Sequence, residues 1–226
     1  MPSWPHRAAD GELAGELIMA VHMGLGARQL PQVLGQLRNR HPKLQVTLHE
    51  EPDPADMERL VRQGTLDMIL VHRFPAGCTF DIHTLGEETY VAVLPKGHPF
   101  LSDGTALRLK DLASEGWIRF RHASLLDDYL ARLLANAGLS PHTVARASQI
   151  STAVRLVAQG LGVTVVPASA IPEGFEELAC PLMPSLTEPV LVGVRRNPGS
   201  AETAMLDHLN QQNWCGTSLL CQPATV

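Results

Sequence analysis

A chain of 226 residues that is 45% hydrophobic and 18% charged is long enough to bury a full core, as one large domain or as two lobes. Its formal net charge of −5 lacks the positive excess that binding to a phosphate backbone draws on, so these residues alone are not expected to hold DNA. No run reaches the roughly 18 apolar residues of a membrane span, and "MPSWPHRAADGELAGEL" has no apolar stretch after a basic start, so a soluble cytoplasmic chain is expected.

In chain order, the apolar run Leu17 to His22 reads as a buried strand. The helix after it, Ala27 to Arg40, puts Leu30, Val33, Leu34 and Leu37 on one face and stops before Pro42, which pushes the preceding residue out of the helical region. A second unit repeats the plan. "LQVTLHE" (44–50) is a strand, Asp53 caps a helix with Pro54 in its first turn, and "LDMILV" (66–71) is a third strand. A β-α-β-α-β order implies a parallel sheet.

After His72 two β-like runs punctuated by prolines and glycines read as a crossing between lobes. The α/β rhythm then resumes: strand 117–120, helix 123–137 stopped by Gly138, strand 143–147, helix 151–159 stopped by Gly160, and strand 163–166 ended by Pro167. Two further β-like runs, 175–181 and 189–195, lead to a helix over about 200–212, and the residues from Trp214 onward carry no periodicity and read as a loosely held tail. Cys78, Cys180, Cys215 and Cys221 form no C-x-x-C pair and no regular framework, the pattern of reduced thiols.

"VHMGLGARQ" follows the first strand and opens the first helix. A dinucleotide fingerprint needs a third glycine for close helix packing, and Gln29 stands there instead, although Glu50 and Glu51 do close the second strand. The motif points more to an anion at a helix N-terminus, where free N–H groups and the helix dipole favour negative charge.

The ordered set "GELIMAVHMGLGARQLPQVLGQLRNRHPKLQVTLHEE", "LVRQGTLDMILVHR", "YVAVLPKGHPF" and "LVAQGLGVTVVPAS" resembles the effector-binding domain of LysR-type transcriptional regulators, over roughly Gly15 to Gln212. The resemblance implies an α/β fold of two Rossmann-like lobes joined by two crossing strands, like a type 2 periplasmic binding protein, with a small-molecule effector in the cleft between lobes. The expected organisation is a linker remnant at 1–14, a first lobe of 15–74 plus 191–213, a second lobe of 75–190, and a tail at 214–226. The family's winged helix-turn-helix is not in this sequence, so DNA contact is expected only through a domain missing here. Helices 27–40 and 123–137 match those that pack head to tail across a two-fold axis in the family, which implies a homodimer or higher homo-oligomer. No cofactor, metal or membrane partner is implied.

Open α/β sheets bind ligands beyond the carboxyl ends of their strands. The residues expected there are His22, Met23, Gly24, Asp53, Pro54, His72, Arg73, Phe120, Arg121, His122, Ile150, Ser151, Thr152 and Pro167. Arg73 and Arg121 suit a carboxylate, which a guanidinium grips with two parallel bonds. Several family members hold a ligand carboxylate with a hydroxyl at the first strand-helix turn; the matching place is about Gly24, which has none, so backbone donors or His22 would substitute. His22, His72 and His122 together could make a metal site, but no acid or thiol at ligand spacing accompanies them, so hydrogen-bonding cleft residues are the preferred reading.

No G-x-S-x-G elbow, H-E-x-x-H helix or P-loop is present, and Ser124 beside His122 lacks the partners nucleophilic catalysis needs, so no enzymatic activity is expected. The alternatives are a periplasmic-type small-molecule binding protein and, ranked below it, a dinucleotide-dependent enzyme.

Overall fold

The computed structural model describes residues 13–22, 24–50, 54–74, 79–102, 104–122 and 124–214. In chain order the elements are β1 (Ala14–Val21), α1 (Gln29–Arg40), β2 (Lys43–Glu50), α2 (Pro54–Arg62), β3 (Met68–Val71), β4 (Asp81–Val93), the one-turn α3 (Pro99–Ser102), β5 (Trp117–Phe120), α4 (Leu125–Asn136), β6 (Thr143–Ala147), α5 (Ile150–Ala158), β7 (Thr164–Pro167), β8 (Ala179–Val194) and α6 (Ser200–Asn210). They form two compact units. One runs to Glu87 and takes up again at Pro189–Trp214; the other is Glu88–Glu188.

In the first unit the strand order is β2-β1-β3-β8. β1 runs parallel to β2 from Ala14↔Lys43 to Val21↔Glu50, and parallel to β3 from Met19↔Met68 to Val21↔Leu70. The expected parallel β-α-β-α-β is therefore present, and β8 closes it antiparallel, Met68 opposite Val194. β1 reads as a nearly unbroken apolar run because both its faces are covered. Leu17, Met19 and Val21 pack with Leu30, Val33 and Leu37 of α1 and with Ala201, Met205 and Leu209 of α6. Ala20, with Ile69 and Val71 of β3, packs on Met57 and Leu60 of α2.

Two expectations need correction here. Trp214 is core rather than tail: it is 2% exposed, its indole N–H donates to the Leu209 carbonyl at 2.8 Å, and its Cβ lies where a side chain on Gly86 would have to go, 2.8 Å from that glycine's virtual Cβ. A lone aromatic after a helix has no periodicity to announce it. Residues 215–226 fall outside the described residues. The expected strands 175–181 and 189–195 are instead a 3-10 turn at Glu176–Leu178 followed by one sixteen-residue strand, β8, that runs straight through Pro181, Pro184 and Pro189.

In the second unit β5 and β6 are parallel, Phe120 opposite Ala147, and a bridge from Trp117 to Val163 joins β5 to the segment leading into β7. β7 pairs antiparallel with β4, Tyr90 opposite Pro167. α4 begins at Ser124, whose hydroxyl accepts from the Asp127 N–H at 3.1 Å, a standard N-cap. That use of Ser124 is structural, and His122 is exposed. The Asp127 carboxylate in turn receives Arg119 at 2.8 Å and Arg146 at 3.0 Å.

The "GLG" between α5 and β7 is demanded twice over. Gly160 ends α5 at φ +79°, where a side chain is strained, and a Cβ on Gly162 would sit 2.2 Å from the Gly116 carbonyl oxygen. Backbone cannot step aside as a flexible side chain can. Gly160→Ala is expected to cost about 1 kcal/mol, and Gly162→Ala about 3 kcal/mol or more, since an overpacked site must move main chain. Urea denaturation of the two variants checks this ordering; equal midpoints would refute it.

Candidate functional site

Parallel strands end at one edge, so the register fixes which of the expected residues meet. In the first unit His22 follows β1 directly, with its N–H donating to the Leu70 carbonyl at 2.8 Å, while His72 and Arg73 follow β3. The two histidine rings meet edge to face, their centroids 5.2 Å apart at 80°. Both are buried, at 6% and 5% exposure, whereas Arg73 is exposed. Met23 and Asp53 lie outside the described residues; Pro54 opens α2, and Gly24 is in the turn ahead of α1.

The two rings differ chemically. Nδ1 of His72 is 3.0 Å from the Pro189 carbonyl oxygen, which can only accept, so Nδ1 carries a proton and donates it there. Neither ring nitrogen of His22 has a hydrogen-bond partner among the described residues. Burial, and secondarily the nearby His72, lowers the His22 pKa from 6.5 to about 3. The ring is therefore neutral at ordinary pH, with one donor and one acceptor unmet.

In the second unit the Arg121 N–H donates to the Ala147 carbonyl at 3.0 Å, which brings Arg121 and His122, after β5, to the same edge as the β6 end and Ile150, Ser151 and Thr152 of α5. Phe120 and Ile150 are buried and support that edge; Arg121, His122 and Thr152 are exposed. Pro167, last residue of β7, is buried against β4. Neither α1 nor α5 has a side-chain cap or an acid in its first turn, in contrast to α4 with Ser124, Asp127 and Asp128. The α1 cap position even carries a cation, Arg28, against the sense of the helix dipole. Both helix starts are thus open to an anion. Among the described residues no group of three or more histidines, cysteines, aspartates or glutamates is placed to hold a metal ion.

Sequence reasoning missed a buried polar cluster on the crossing strands. Glu88, 1% exposed, accepts from both the N–H and the hydroxyl of Ser169, and burial raises its pKa. Two residues along β4, the Tyr90 hydroxyl donates to Glu188 at 3.0 Å and its ring lies 4.6 Å from that of Tyr129. The available signal was "EETYVAVL", an acid running straight into an apolar strand.

A family model for the LysR substrate binding domain matches residues 10–214. The chain belongs to that family. The HTH-type transcriptional regulator CatR of Pseudomonas putida is 36% identical over 143 residues, 62% of this chain and 48% of CatR. The chain spans about half the length of the curated relatives it matches. Among solved structures, the BenM effector binding domain with its effector benzoate aligns with TM-score 0.73 at 20% identity, covering 88% of this chain and 92% of that one. The Synechocystis PCC6803 CcmR regulatory domain in complex with 2-PG aligns with TM-score 0.76 at 16% identity, covering 88% and 99%. The fold is that of LysR effector-binding domains, the type 2 periplasmic-binding-protein-like arrangement expected from the sequence.

In this LysR domain His22 sets a stability slope with acid. Its folded pKa lies below the unfolded value, so the contribution is full above pH 6.5 and is lost as pH falls toward about 3. The loss is about 1.4 kcal/mol per pH unit in that window. His22→Leu is expected to remove this slope, and to raise stability near neutral pH by about 1–2 kcal/mol because two unmet polar atoms disappear. Urea midpoints of both proteins at neutral and acid pH test this; an equal slope in the variant refutes it.

Proposed function

We propose that this chain is the effector-sensing part of a LysR-type transcriptional regulator, and that it binds a small organic anion at the carboxyl ends of its parallel strands. The observation that carries the reading is the family match over residues 10–214. The site chemistry supports it: two uncapped helix starts, the exposed guanidinium groups of Arg73 and Arg121 after β3 and β5, and a buried imidazole with unmet hydrogen bonds. Benzoate, the effector of the BenM neighbour, is a carboxylate of the same class. Binding acts by shifting population. An effector with different affinities for two arrangements of the regulator favours one of them, and a DNA-binding domain outside these residues reads the change.

Thermal melts against a panel of small aliphatic and aromatic carboxylates, amino acids and nicotinamide dinucleotides test the proposal. A ligand at about 100 times its Kd adds about 2.7 kcal/mol, or roughly 5–10 °C for a chain this size. The expected result is a shift with one acid class that falls in Arg73→Ala and Arg121→Ala. A shift confined to dinucleotides would overturn it in favour of a cofactor at the Gly24-x-Gly26 turn.

The sensing unit is also proposed to self-associate. β2 is an edge strand with Lys43 on it, and beside it Leu34, Leu37, Arg38 and residues 43–46 line an open groove of about 540 Å³. α4 carries a second apolar stripe, Leu125, Tyr129 and Leu133, half-buried next to its core stripe of Leu126, Leu130 and Leu134. Both faces keep apolar surface that a partner copy would cover. Sedimentation at about tens of micromolar, suited to a moderate interface, is expected to show dimer or larger species; monomer alone refutes it.

A further inference from the structure

We propose that His22 takes up a proton when it binds the effector's anionic group, so that affinity for the effector rises as the solution becomes more acidic; this rests on the effector-sensing reading above. His22 stands where β1 ends, its backbone fixed by the bond to Leu70, its side chain 6% exposed and both ring nitrogens without a hydrogen-bond partner among the described residues. A neutral imidazole carries one N–H and one lone pair. An anion laid against it meets one donor and one repelling lone pair. Adding a proton makes both nitrogens donors and the ring a cation, so the N–H that faces the anion makes a charge-assisted bond.

The charged groups around His22 do not supply that proton's charge in advance. On β2, Glu50 closes the strand opposite Val21. On β3, His72 faces the ring at 5.2 Å and Arg73 follows it, exposed. In the turn on its own side, Arg28 holds the cap position of α1. His72 is the titratable group that acts on His22 electrostatically, and it disfavours charge there, as burial does. His72 commits its Nδ1–H to the Pro189 carbonyl. The free His22 ring is therefore neutral, with neither nitrogen hydrogen-bonded among the described residues. An anion beside it supplies the opposite charge that burial withheld, and proton affinity returns.

The linkage fixes the size of the effect. Over the pH range where the free ring is neutral and the bound ring charged, one proton enters with each anion, and affinity changes up to tenfold per pH unit. The probes are acetate and benzoate, added to the full chain with nitrogen-15-labelled histidine, against sodium chloride at equal ionic strength. The His22 resonances, assigned by their loss in His22→Gln, are expected to move from neutral to imidazolium shifts with acetate or benzoate at about pH 6, and not with chloride. Binding of the same acids is expected to weaken between about pH 6 and about pH 8 in the parent chain, and to lose that dependence in His22→Gln, whose thermal melt reports that it is folded. A His22 ring that stays neutral with both acids, or a glutamine variant with the parental pH dependence, overturns the inference. If a carboxylate still raises the melting temperature in those cases, the effector-sensing reading stands without it; if no anion in the panel does so, that reading falls as well.

Discussion

In the first unit β1 is hydrogen-bonded on both sides to strands running in its own direction, from Ala14↔Lys43 to Val21↔Glu50 on one side and from Met19↔Met68 to Val21↔Leu70 on the other. The same rule operates in the second unit, where β5 and β6 run together to Phe120↔Ala147. Parallel pairing sends every crossover helix back along the sheet and releases every strand at one edge. The residues after β1 and β3 therefore meet, as do those after β5 and β6, whatever their identity. Shifting β1 against β3 by one residue would turn Leu17, Met19 and Val21 away from α1 and α6 and move His22 off His72. Core and site are fixed by one register.

This dependence explains what could be read in advance. The β-α-β-α-β order of the first unit was legible because β1 and β3 are apolar runs too short for helices, and because Pro42 and Pro54 mark a helix stop and a helix start. Once strand order is known, the strand-end rule names His22, His72, Arg121 and Ser151 with no view of their side chains. It carries no information on burial, which is why it placed the buried His72 and the exposed Arg73 in one class. β8 was split because three prolines suggest interruption. Proline removes one donor, and a strand accepts it where the missing N–H faces away from a partner. Trp214 and the Glu88–Ser169 pair escaped because each depends on one long-range contact, and local spacing does not record such contacts.

A buried imidazole with both nitrogens unmet is a poor choice for stability alone, since an apolar side chain of similar size would fill the space without the desolvation cost. Buried His72 beside it places one nitrogen by donating from Nδ1 to Pro189, whereas neither nitrogen of His22 is hydrogen-bonded among the described residues. The contrast locates the unmet capacity at His22. Departures from local rules often mark function, and the uncapped start of α1 in the first unit and of α5 in the second are departures of the same kind, each after a strand end of its own unit. An anion that accepts hydrogen bonds, a carboxylate among them, is the chemistry each of these groups would answer.

The turn after β1 bears on why the proposed polar role falls to His22. Gly24 has φ +94°, a conformation that strains any residue with a side chain, so a hydroxyl of the sort that several family members use at this turn is barred by the backbone itself. Serine or threonine there would first have to change the path into α1, and with it the seating of Leu25 and Leu30 in the core. The chain therefore needs its polar group from a neighbouring position whose backbone is already in strand conformation. His22 meets that condition, because its N–H continues the pairing of β1 with β3. Exchanging a hydroxyl for an imidazole keeps the ability to donate to an anion and adds one that a hydroxyl lacks at these pH values, gaining a charge. On the proposed reading, a site that cannot carry a serine at its tightest turn gains a response to acidity from His22.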